Sequence, residues 1–378
     1  MKICIISNSH QTTDVRLYHK LAISLTKMGK VHLICASGIR NSVKNPFQEV
    51  VATESAWQAL PLLYKKAKKL KPDIVICVEP LTVFVGLLLR RKTRCKVIFD
   101  VHEFFPDAFA ERFRPPLSWM MKSLYLGFER WLQSRVDATM AVSKDVLDQL
   151  VPPEKQTNTA VIQNYPVKDI WELENETPME LNAISGMEFD LVYVGGLTPN
   201  RGVFKILKSV SLLKREFPSL NVLIVGKFFD SEAEKQFNQE LNKYSLNAVV
   251  YYQDWVSPDK IGFLLKRSKI GLWVFNPQNL RLSKALPLKV LEYFAAGLPV
   301  VATRSKLMCK LVEKNELGAC CEYSSESIAK AVAKLLRLKK SEYRLMSKRC
   351  EDIIEEKYNW EAVEPKLITL MEKLAARP

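Results

Sequence analysis

The chain has 378 residues, of which 48% are hydrophobic and 26% charged, and this length and composition predict a globular protein of two domains. Its longest largely apolar run, Leu81–Leu89, is too short to cross a bilayer core of ~30 Å as a helix, which argues against a membrane span. The first residues lack the pattern of a signal peptide, and we therefore expect a cytoplasmic location.

The net charge of +15 is uneven along the chain, because residues 1–165 carry 24 basic and 14 acidic side chains whereas residues 166–378 carry 32 and 27. A basic surface can bind nucleic acid, anionic lipid or an acidic small molecule, and charge alone does not choose among them. The eight cysteines form no C-x-x-C pair and several fall within predicted strands, which indicates reduced thiols packed in the core.

Predicted strands and helices alternate in the first half of the chain. The strands are continuous apolar runs, which is typical of a parallel sheet that helices cover on both faces. The predicted strands are Lys2–Asn8, Val31–Ala36, Ile74–Val78, Lys96–Val101, Ala138–Val142 and Ala160–Ile162. The predicted helices are Val15–Met28, Ala56–Leu70, Leu81–Leu89 and Leu117–Gln133.

A second alternating series follows, and the chain then ends in two predicted helices, Ser341–Lys357 and Glu361–Ala375. The predicted strands are Leu191–Gly195, Asn221–Val225, Ala248–Tyr252, Ile270–Phe275, Leu298–Ala302 and Gly318–Glu322. We therefore predict two doubly wound α/β domains, at residues 1–166 and 187–357, joined by an acidic linker at 167–186 and followed by a terminal helix at 358–378. Two such domains are expected to face one another across a ligand cleft.

The segment Leu286–Thr303 predicts a helix that Pro287 opens and Gly297 stops, followed by an apolar strand. The start of such a helix offers unpaired N–H groups and a positive dipole end to a phosphate. Lys289 and Glu292 are three residues apart and share a face, so the cation could meet a diphosphate and the carboxylate a ribose or sugar hydroxyl. The alternative is a solvated ion pair.

A glycine-rich turn follows the first strand of the second half and opens the predicted helix Val203–Phe217. Gly195 and Gly196 would let the backbone approach a ligand closely, and Arg201 lies where a guanidinium can bind phosphate. Lys227 follows a second glycine-ended strand and is a further candidate for a base or phosphate contact. Either turn is also compatible with an ordinary strand end.

Two of the four histidines lie at the carboxyl ends of predicted strands. His102 follows Lys96–Val101 and is flanked by carboxylates, among them Glu103, while His10 follows the first strand. A histidine placed in this way can orient hydroxyls or stabilise developing positive charge, although a structural role is equally compatible with the pattern.

Several catalytic signatures are absent from the sequence. There is no D-x-D pair, no H-E-x-x-H, no Cys/His cluster with metal-ligand spacing, no G-x-S-x-G elbow and no G-x-G-x-x-G fingerprint. The last two absences argue against hydrolases and dehydrogenases.

Taken together, these motifs resemble the nucleotide-sugar-dependent glycosyltransferases of the GT-B fold, family 4 (group 1). The resemblance covers essentially the whole chain and is strongest in Leu191–Gly202 and Leu286–Thr303, where Lys-x-x-Glu-Tyr-x-x-Ala-Gly-x-Pro-Val-Val-Ala is highly specific. It implies two Rossmann-like domains, with the acceptor in the first and the donor in the second, a terminal helix that crosses back to the first domain, and no metal or other cofactor.

The resemblance also implies roles for single residues. Glu292 corresponds to the second glutamate of the family's E-x7-E motif, which holds the donor ribose, Arg201 to a basic residue that binds donor phosphate, and His102 to a histidine near the transferred sugar. Two positions depart from the family pattern, because Lys284 replaces the first glutamate and Gly196 an arginine. We interpret these replacements as variation within the family.

The expected function is therefore metal-independent, retaining transfer of a sugar from a nucleotide-sugar to a glycan or lipid-linked acceptor, in cell-surface polysaccharide or glycolipid assembly. The catalytic candidates are His102 and Glu292. The donor-binding candidates are Gly195, Gly196, Arg201, Lys227, Lys289 and Glu292, and the acceptor-side candidates are His10 and Glu103. The basic surface of the first domain and the aromatic residues among its cations predict peripheral contact with an anionic membrane. The aromatic residues of the helix Leu117–Gln133 are more simply explained by packing of that helix against its neighbours.

Two alternatives remain open at this stage. A nucleotide-sugar 2-epimerase of similar fold would need no acceptor. A non-catalytic nucleic-acid-binding protein would use the basic charge, but the chain contains no recognised binding module, and we expect no nucleic acid partner.

Overall fold

The computed structural model describes residues 1–38, 40–53, 55–167, 181, 184, 186–284 and 286–376, with the side chains of residues 258, 259 and 280 excepted. Contacts divide the chain into two compact units, Met1–Val167 with Trp360–Pro378, and Lys168–Asn359. Most of the predicted linker at 167–186 lies outside the described residues.

The first unit is built on a parallel sheet of seven strands in the order β3-β2-β1-β4-β5-β6-β7. The strands are β1 (Lys2–Gln11), β2 (Lys30–Ser37), β3 (Phe47–Val50), β4 (Ile74–Cys77), β5 (Lys96–Val101), β6 (Ala138–Ala141) and β7 (Thr159–Val161). A π-helical segment, Val15–Ala22, continues into α1 (Ile23–Leu25), and the other helices are α2 (Ala56–Leu70), α3 (Pro80–Thr93), α4 (Phe105–Ala110), α5 (Leu117–Gln133) and α6 (Lys144–Leu150).

The second unit repeats this topology with a parallel sheet of six strands in the order β10-β9-β8-β11-β12-β13. The strands are β8 (Phe189–Val194), β9 (Val222–Val225), β10 (Val250–Gln253), β11 (Ser268–Trp273), β12 (Val300–Thr303) and β13 (Gly318–Cys321). The helices are α7 (Val203–Leu213), α8 (Ser231–Lys243), α9 (Pro258–Leu265), α10 (Leu280–Lys284), α11 (Leu288–Ala295), α12 (Lys306–Met308), α13 (Ser325–Leu336) and α14 (Lys340–Glu356), and a π-helical segment, Cys309–Glu313, follows α12.

The last helix of the chain, α15 (Glu364–Ala375), belongs to the first unit. Its buried apolar face includes Leu367 and Met371, which share one hydrophobic cluster with Leu17 and Leu21. Just before it, Trp360 donates from its indole Nε1 to Ser24 Oγ over 2.9 Å. Each such buried Leu or Met side chain contributes about 1.5–3 kcal/mol, so the terminal helix is an integral part of this core.

The structure confirms the two doubly wound domains and differs from the sequence prediction in detail. Strand β3 and helices α4 and α6 were not predicted, because each is at most seven residues long and carries too little periodicity to be recognised. The first predicted helix, Val15–Met28, ends at Leu25, and three turn residues follow. Among the described residues, no helix is both long and apolar enough to span a bilayer.

Each sheet reverses its strand order at one place, between β1 and β4 in the first unit and between β8 and β11 in the second. The loops that leave the carboxyl ends of these strand pairs run in opposite directions, which opens a crevice that binds ligands in doubly wound proteins. Ligand-binding residues are therefore expected at these two places. The prediction that the two domains face one another across a cleft stays a prediction.

Candidate functional site

In the first unit, His10 and Glu79 meet at the point where the strand order reverses. His10 lies near the end of β1, and Glu79 follows β4 directly before α3. The His10 Nδ1 atom lies 2.6 Å from Glu79 Oε1. The carboxylate is almost fully buried, whereas about a quarter of the His10 side chain is exposed, so the pair presents its imidazole side to solvent.

The first strand supplies further donors to this carboxylate. Ser9 Oγ donates to Glu79 Oε1 over 2.7 Å, Ser7 Oγ donates to the same oxygen, and the Asn8 N–H donates to Oε2 over 3.1 Å. A buried carboxylate that accepts several hydrogen bonds is held in its ionised form. The loop at the end of β1 is thus fixed around one negative charge.

The two pKa shifts of this pair follow from the same contacts. Burial works against both charges, but the hydrogen bond and charge of Glu79 outweigh it at His10, so the pKa of His10 is raised above its ordinary value. Likewise, burial would raise the pKa of Glu79, but His10 and the serines lower it overall. The pair is therefore an imidazolium–carboxylate pair over a wider pH range than isolated side chains would be.

His102 lies beside this pair at the end of β5. Its ring centroid is 4.9 Å from that of His10 and 5.3 Å from that of Phe105, both in edge-on geometry. Burial lowers the pKa of His102, and its Nδ1 atom is buried without a hydrogen-bond partner among the described residues. Glu103, by contrast, is exposed. The structure thus brings together His10, whose pKa is raised, and His102, whose pKa is lowered.

Beneath these histidines lies a buried ion pair. Arg16 donates from Nε and Nη2 to the two carboxylate oxygens of Asp100, over 2.9 and 2.6 Å, and from Nη1 to the Ile162 carbonyl. Both side chains are at most 4% exposed. This bidentate pair ties the start of the first helix to β5 and thereby supports the strand end that carries His102.

Glu79 was missed in the sequence analysis. The available signal was a carboxylate directly after a buried strand and directly before the proline that opens α3. Its partner lies 69 positions earlier, and only the parallel pairing of β1 with β4 brings the two together.

In the second unit, the glycine turn after β8 packs against the turn after β9. A Cβ added to Gly226 would lie 1.8 Å from the Gly195 carbonyl oxygen, so only glycine fits there. On the other side of the turn, Tyr193 donates its hydroxyl to the Gly196 carbonyl over 3.0 Å. Arg201 reaches back to the same place, with its Nη1 atom 3.3 Å from where a Cβ on Gly195 would be.

The ring of Phe229 occupies the space beside Gly196, since a Cβ there would lie 2.6 Å from Phe229 Cε2. A larger residue here, such as the arginine that the sequence resemblance leads one to expect, would require this exposed ring to move. Phe229 itself is 76% exposed, and its other face is open to solvent.

Helix α11 is attached to the strand pair β8–β11 through Tyr293. The Val194 N–H donates to the Tyr293 hydroxyl over 2.8 Å, and that hydroxyl donates to the Leu272 carbonyl over 3.4 Å. The phenol ring packs on Gly271, where an added Cβ would lie 2.5 Å from the ring. The tyrosine therefore sets the position of α11 relative to the glycine turn after β8.

One residue before this tyrosine, Glu292 is buried and pairs with Lys289. The Lys289 Nζ atom lies 2.9 Å from Glu292 Oε2, and 30% of the lysine side chain is exposed. That oxygen accepts no well-aligned hydrogen bond from the described residues, so the contact is an ion pair. Lys227, after β9, and Lys284, at the end of α10, are both exposed.

The second unit therefore combines Gly195, Arg201, Lys289 and Glu292 around one strand reversal. Chemically, the turn offers backbone N–H groups and a guanidinium, α11 offers its amino-terminal end, and Glu292 offers a carboxylate oxygen. Such a set is suited to an anionic ligand that also carries hydroxyl groups.

Comparisons with known proteins agree with this architecture. Residues 175–360 match the family model described as glycosyl transferases group 1. Residues 16–164 match the model described as glycosyltransferase family 4. The two matches fall on the carboxyl-terminal and amino-terminal parts of the chain and together leave only short stretches uncovered.

Two relatives are similar over most of the chain. A protein described as a glycosyltransferase, EpsD of Bacillus subtilis, is 23% identical over 269 residues. The match covers 68% of this chain and 66% of EpsD, so the chain spans just under two thirds of the length of this relative. A protein described as a colanic acid biosynthesis glycosyltransferase, WcaL of Escherichia coli, is 21% identical over 293 residues, 72% of this chain and 71% of WcaL.

Among solved structures, HepE of Anabaena in complex with UDP and glucose has a TM-score of 0.72 at 14% identity. The match covers 99% of this chain and 100% of HepE. At this identity the likeness shows the fold alone, which is that of the two-domain GT-B enzymes.

Proposed function

Because this chain belongs to the group 1 glycosyltransferases, with an amino-terminal domain of family 4 type, we propose that it transfers a sugar from a nucleotide-sugar to an acceptor hydroxyl. The acceptor is a growing glycan or a lipid-linked sugar, and the pathway is the assembly of a surface polysaccharide or glycolipid. The names of EpsD and WcaL support glycosyl transfer, and that of WcaL supports polysaccharide assembly.

The observation that carries this proposal is the convergence of the glycine turn, Arg201 and α11 on the β8–β11 reversal. The diphosphate of the donor binds to the turn and to the start of α11, where N–H groups and the helix dipole favour negative charge. Arg201 and Lys289 supply the positive charge. Glu292 accepts a hydrogen bond from a hydroxyl group of the donor ribose. Its Oε2 atom forms an ion pair with Lys289 but accepts no well-aligned hydrogen bond from the described residues, so it is available for this contact.

Charge development in the transition state explains how this set would act. As the bond between the sugar and the diphosphate breaks, negative charge grows on the departing phosphate. Arg201, Lys289 and the backbone N–H groups stabilise that charge more strongly than they stabilise the ground state, and no metal ion is required. In a retaining transfer the acceptor attacks from the leaving-group face, and its proton passes to the departing phosphate.

The groups of the first domain serve the acceptor and the sugar. His102 is neutral, because burial lowers its pKa, and it can accept or donate one hydrogen bond to a sugar hydroxyl. His10, held by Glu79, presents a charged imidazole that orients an acceptor oxygen. Glu103 lies at the surface of the same strand end and is the outermost of the acceptor-side candidates.

A binding experiment tests the donor site. Purified protein in EDTA is titrated with UDP-glucose and with GDP-, ADP-, CMP- and dTDP-sugars, and the unfolding midpoint is followed. A ligand that binds only the folded state raises the midpoint. We expect one nucleotide class to stabilise the wild type, and Glu292→Gln and Arg201→Ala to lose that shift. Lys235→Ala, on the exposed face of α8, is the control and should keep it.

The products separate the proposal from its rival. A transferase consumes donor only when an acceptor is present, apart from slow hydrolysis, whereas a 2-epimerase changes the sugar without one. No midpoint shift with any nucleotide, or equal shifts in the wild type and both variants, would remove the donor-site assignment. If the nucleotide-sugar failed to bind in EDTA but bound after Mg²⁺ was added, only the proposal that donor binding needs no metal would be wrong.

We also propose that the first domain rests on an anionic membrane. One stripe of α5 is exposed and apolar, at the spacing of successive helical turns: Leu117, Met120, Leu124 and Trp131 are 42–60% exposed. Trp119 beside them is 69% exposed, which favours a surface role over internal packing. On the neighbouring helix α3, the Phe84 ring contacts the Trp131 ring in a tilted arrangement, with 5.9 Å between the ring centroids, and Leu88 is also exposed. We call these seven residues the α3–α5 face.

The α3–α5 face is bordered by cations, which selects an anionic bilayer over a neutral apolar partner. Arg91 and Lys92 are exposed at the end of α3, and the guanidinium of Arg135 lies over the Trp131 ring at 4.0 Å. Interfacial binding combines buried apolar area with attraction to anionic headgroups. Such a position would bring the domain to lipid-linked acceptors.

Vesicle sedimentation tests this proposal. Binding to vesicles with anionic lipid should exceed binding to neutral vesicles and fall with added salt, because charges at the surface are screened. Leu124→Glu should abolish it, while Leu345→Glu, at an equally exposed leucine of α14, should leave it unchanged. Equal binding of both variants would show that the α3–α5 face is not the docking surface.

A further inference from the structure

Three potential metal ligands converge in the second unit, and none of them belongs to the set of donor-site candidates. They are Cys309, Glu313 and Cys320, and their sulfur and oxygen ligand atoms all lie within 4.8 Å of one another. Of the eight cysteines, Cys309 and Cys320 are the two that are not buried. The two cysteines that are only partly buried therefore lie in the same place.

The local backbone explains why these side chains meet. Cys309 and Glu313 are four residues apart at the two ends of the π-helical segment, so they project from one face. That segment packs beside β13, the last strand of its sheet. On β13 the side chains alternate, so Cys321 is buried in the core while Cys320 points to the opposite side. Two ligands on a helical turn and one on an adjacent strand form a three-sided site.

Arg304 orients the carboxylate of this group. Its Nη2 and Nη1 atoms donate to Glu313 Oε1 and Oε2 over 3.1 and 3.2 Å, and Nη1 also contacts Cys309 Sγ at 3.3 Å. Its Nε atom lies 3.2 Å from Glu322 Oε1. A guanidinium in this position favours the anionic forms of its neighbours, and a carboxylate can bind a metal through one oxygen while the other keeps its hydrogen bond.

We propose that Cys309, Glu313 and Cys320 bind one zinc ion, with water as the fourth ligand. Thiolate and carboxylate ligands suit zinc, with bonds of about 2.3 Å to sulfur and about 2.0–2.2 Å to oxygen. Ligand atoms that now lie within 4.8 Å of one another would need to close by roughly 1 Å to form that tetrahedron. Binding releases the two thiol protons to solvent.

The carboxylate favours this reading over a redox-active thiol pair. A disulfide between Cys309 and Cys320 would make no use of Glu313, whose negative charge opposes formation of the thiolate that must attack. A metal ion, in contrast, uses all three groups at once. The bound ion would fasten the edge strand β13 to the segment that follows β12, independently of donor binding at the β8–β11 reversal.

Metal analysis of the purified protein tests the proposal. After equilibration with zinc and removal of excess by gel filtration, we expect one zinc per chain in the wild type. The metal-free protein titrated with Co²⁺ should develop thiolate-to-cobalt absorption at one equivalent. Cys309→Ser, Cys320→Ser and Glu313→Gln should each weaken zinc affinity by about tenfold or more. Cys350→Ala, which changes a buried thiol of the same unit, should bind zinc like the wild type.

Other outcomes would overturn the zinc site. These are a wild type that takes up no zinc or cobalt, or a Cys309→Ser protein, folded by circular dichroism, that binds as tightly as the wild type. If the wild type instead loses two thiols in glutathione disulfide, with two molecules of glutathione released and the two sulfurs joined, the pair is a redox switch. Because Glu313 is partly exposed, Glu313→Gln tests the site without disturbing the core.

Discussion

The Nδ1 atom of His10 lies 2.6 Å from the Oε1 atom of Glu79, although the two residues are 69 positions apart in the sequence. They come from neighbouring parallel strands at the place where the order of the first sheet reverses. Around them, Ser7, Ser9 and Asn8 supply donors that fix the carboxylate. The acceptor-side candidate His10 is thus part of a local charge network.

We expect Glu79→Gln to lower the pKa of His10, since the carboxylate holds that pKa above its ordinary value. The pKa of Glu79 is lowered by the same pairing. The His10–Glu79 pair therefore contributes its full stabilisation of the folded state at pH values between the unfolded-state pKa of Glu79 and that of His10. This contribution is lost as pH rises through the folded-state pKa of His10, and also as pH falls through the folded-state pKa of Glu79. NMR titration of the His10 ring measures the shift directly.

In denaturant unfolding near pH 6, Glu79→Gln should lower the free energy of unfolding by about 2 kcal/mol, because the buried hydroxyl and backbone donors lose a charged acceptor. Glu111→Gln, at an exposed carboxylate of the same domain, is the control for loss of one negative charge. An unchanged pKa of His10 in Glu79→Gln would contradict the pairing.

The second prediction concerns the hydroxyl of Tyr293. Tyr293→Phe removes the acceptor of the buried Val194 N–H, and we expect a loss of about 1–2 kcal/mol in the free energy of unfolding. Donor affinity should also fall, because α11 is then less firmly positioned against the glycine turn. Tyr343→Phe removes a hydroxyl that donates to the Lys269 carbonyl and should leave donor affinity intact. Equal affinities in both variants would argue against a positioning role for Tyr293.

Two glycine substitutions form a matched pair. Gly226→Ala should abolish donor binding and destabilise the second domain, since its Cβ would lie 1.8 Å from the Gly195 carbonyl oxygen. Gly127→Ala, on α5, meets no atom within 4 Å, and alanine should stabilise that helix by about 0.5–1 kcal/mol. Thermal unfolding of the two variants, with and without nucleotide, tests these expectations. If Gly226→Ala kept the stability and the nucleotide binding of the wild type, the turns after β8 and β9 would not be in close contact.

The last prediction concerns Glu129, a buried carboxyl on α5. Burial raises the pKa of Glu129 to about 8, and its Oε1 atom has no hydrogen-bond partner among the described residues. The native state therefore keeps this proton at pH values where the unfolded chain releases it, so stability falls as pH rises from the unfolded pKa towards about 8.

Replacement of this carboxyl by an amide should remove that dependence. Between pH 5 and pH 8, the difference in unfolding free energy between Glu129→Gln and the wild type should change by about 1.4 kcal/mol per pH unit, in favour of the variant. Urea unfolding at several pH values measures it. If the unfolding free energies of the wild type and of Glu129→Gln changed with pH in the same way, the pKa of Glu129 would not be raised in the folded protein.

The carboxyl-terminal part of the candidate site could be predicted well from the sequence because it is local. Pro287, Lys289, Glu292 and Gly297 lie within one helix-to-strand unit, and the structure places that helix where the motif predicts it. The glycine turn with Arg201 is equally local. The roles proposed for these residues stay predictions.

The alternation of strands and helices can be predicted from the order of residues, because burial on both faces of a strand and on one face of a helix leaves a characteristic periodicity. The contact of His10 with Glu79, the bond from Val194 to Tyr293 at the end of β8 and the proximity of Cys309 and Cys320 become visible only in the folded chain. Such contacts join side chains that are distant in the chain, and the order of strands in a sheet, which periodicity does not encode, brings them together.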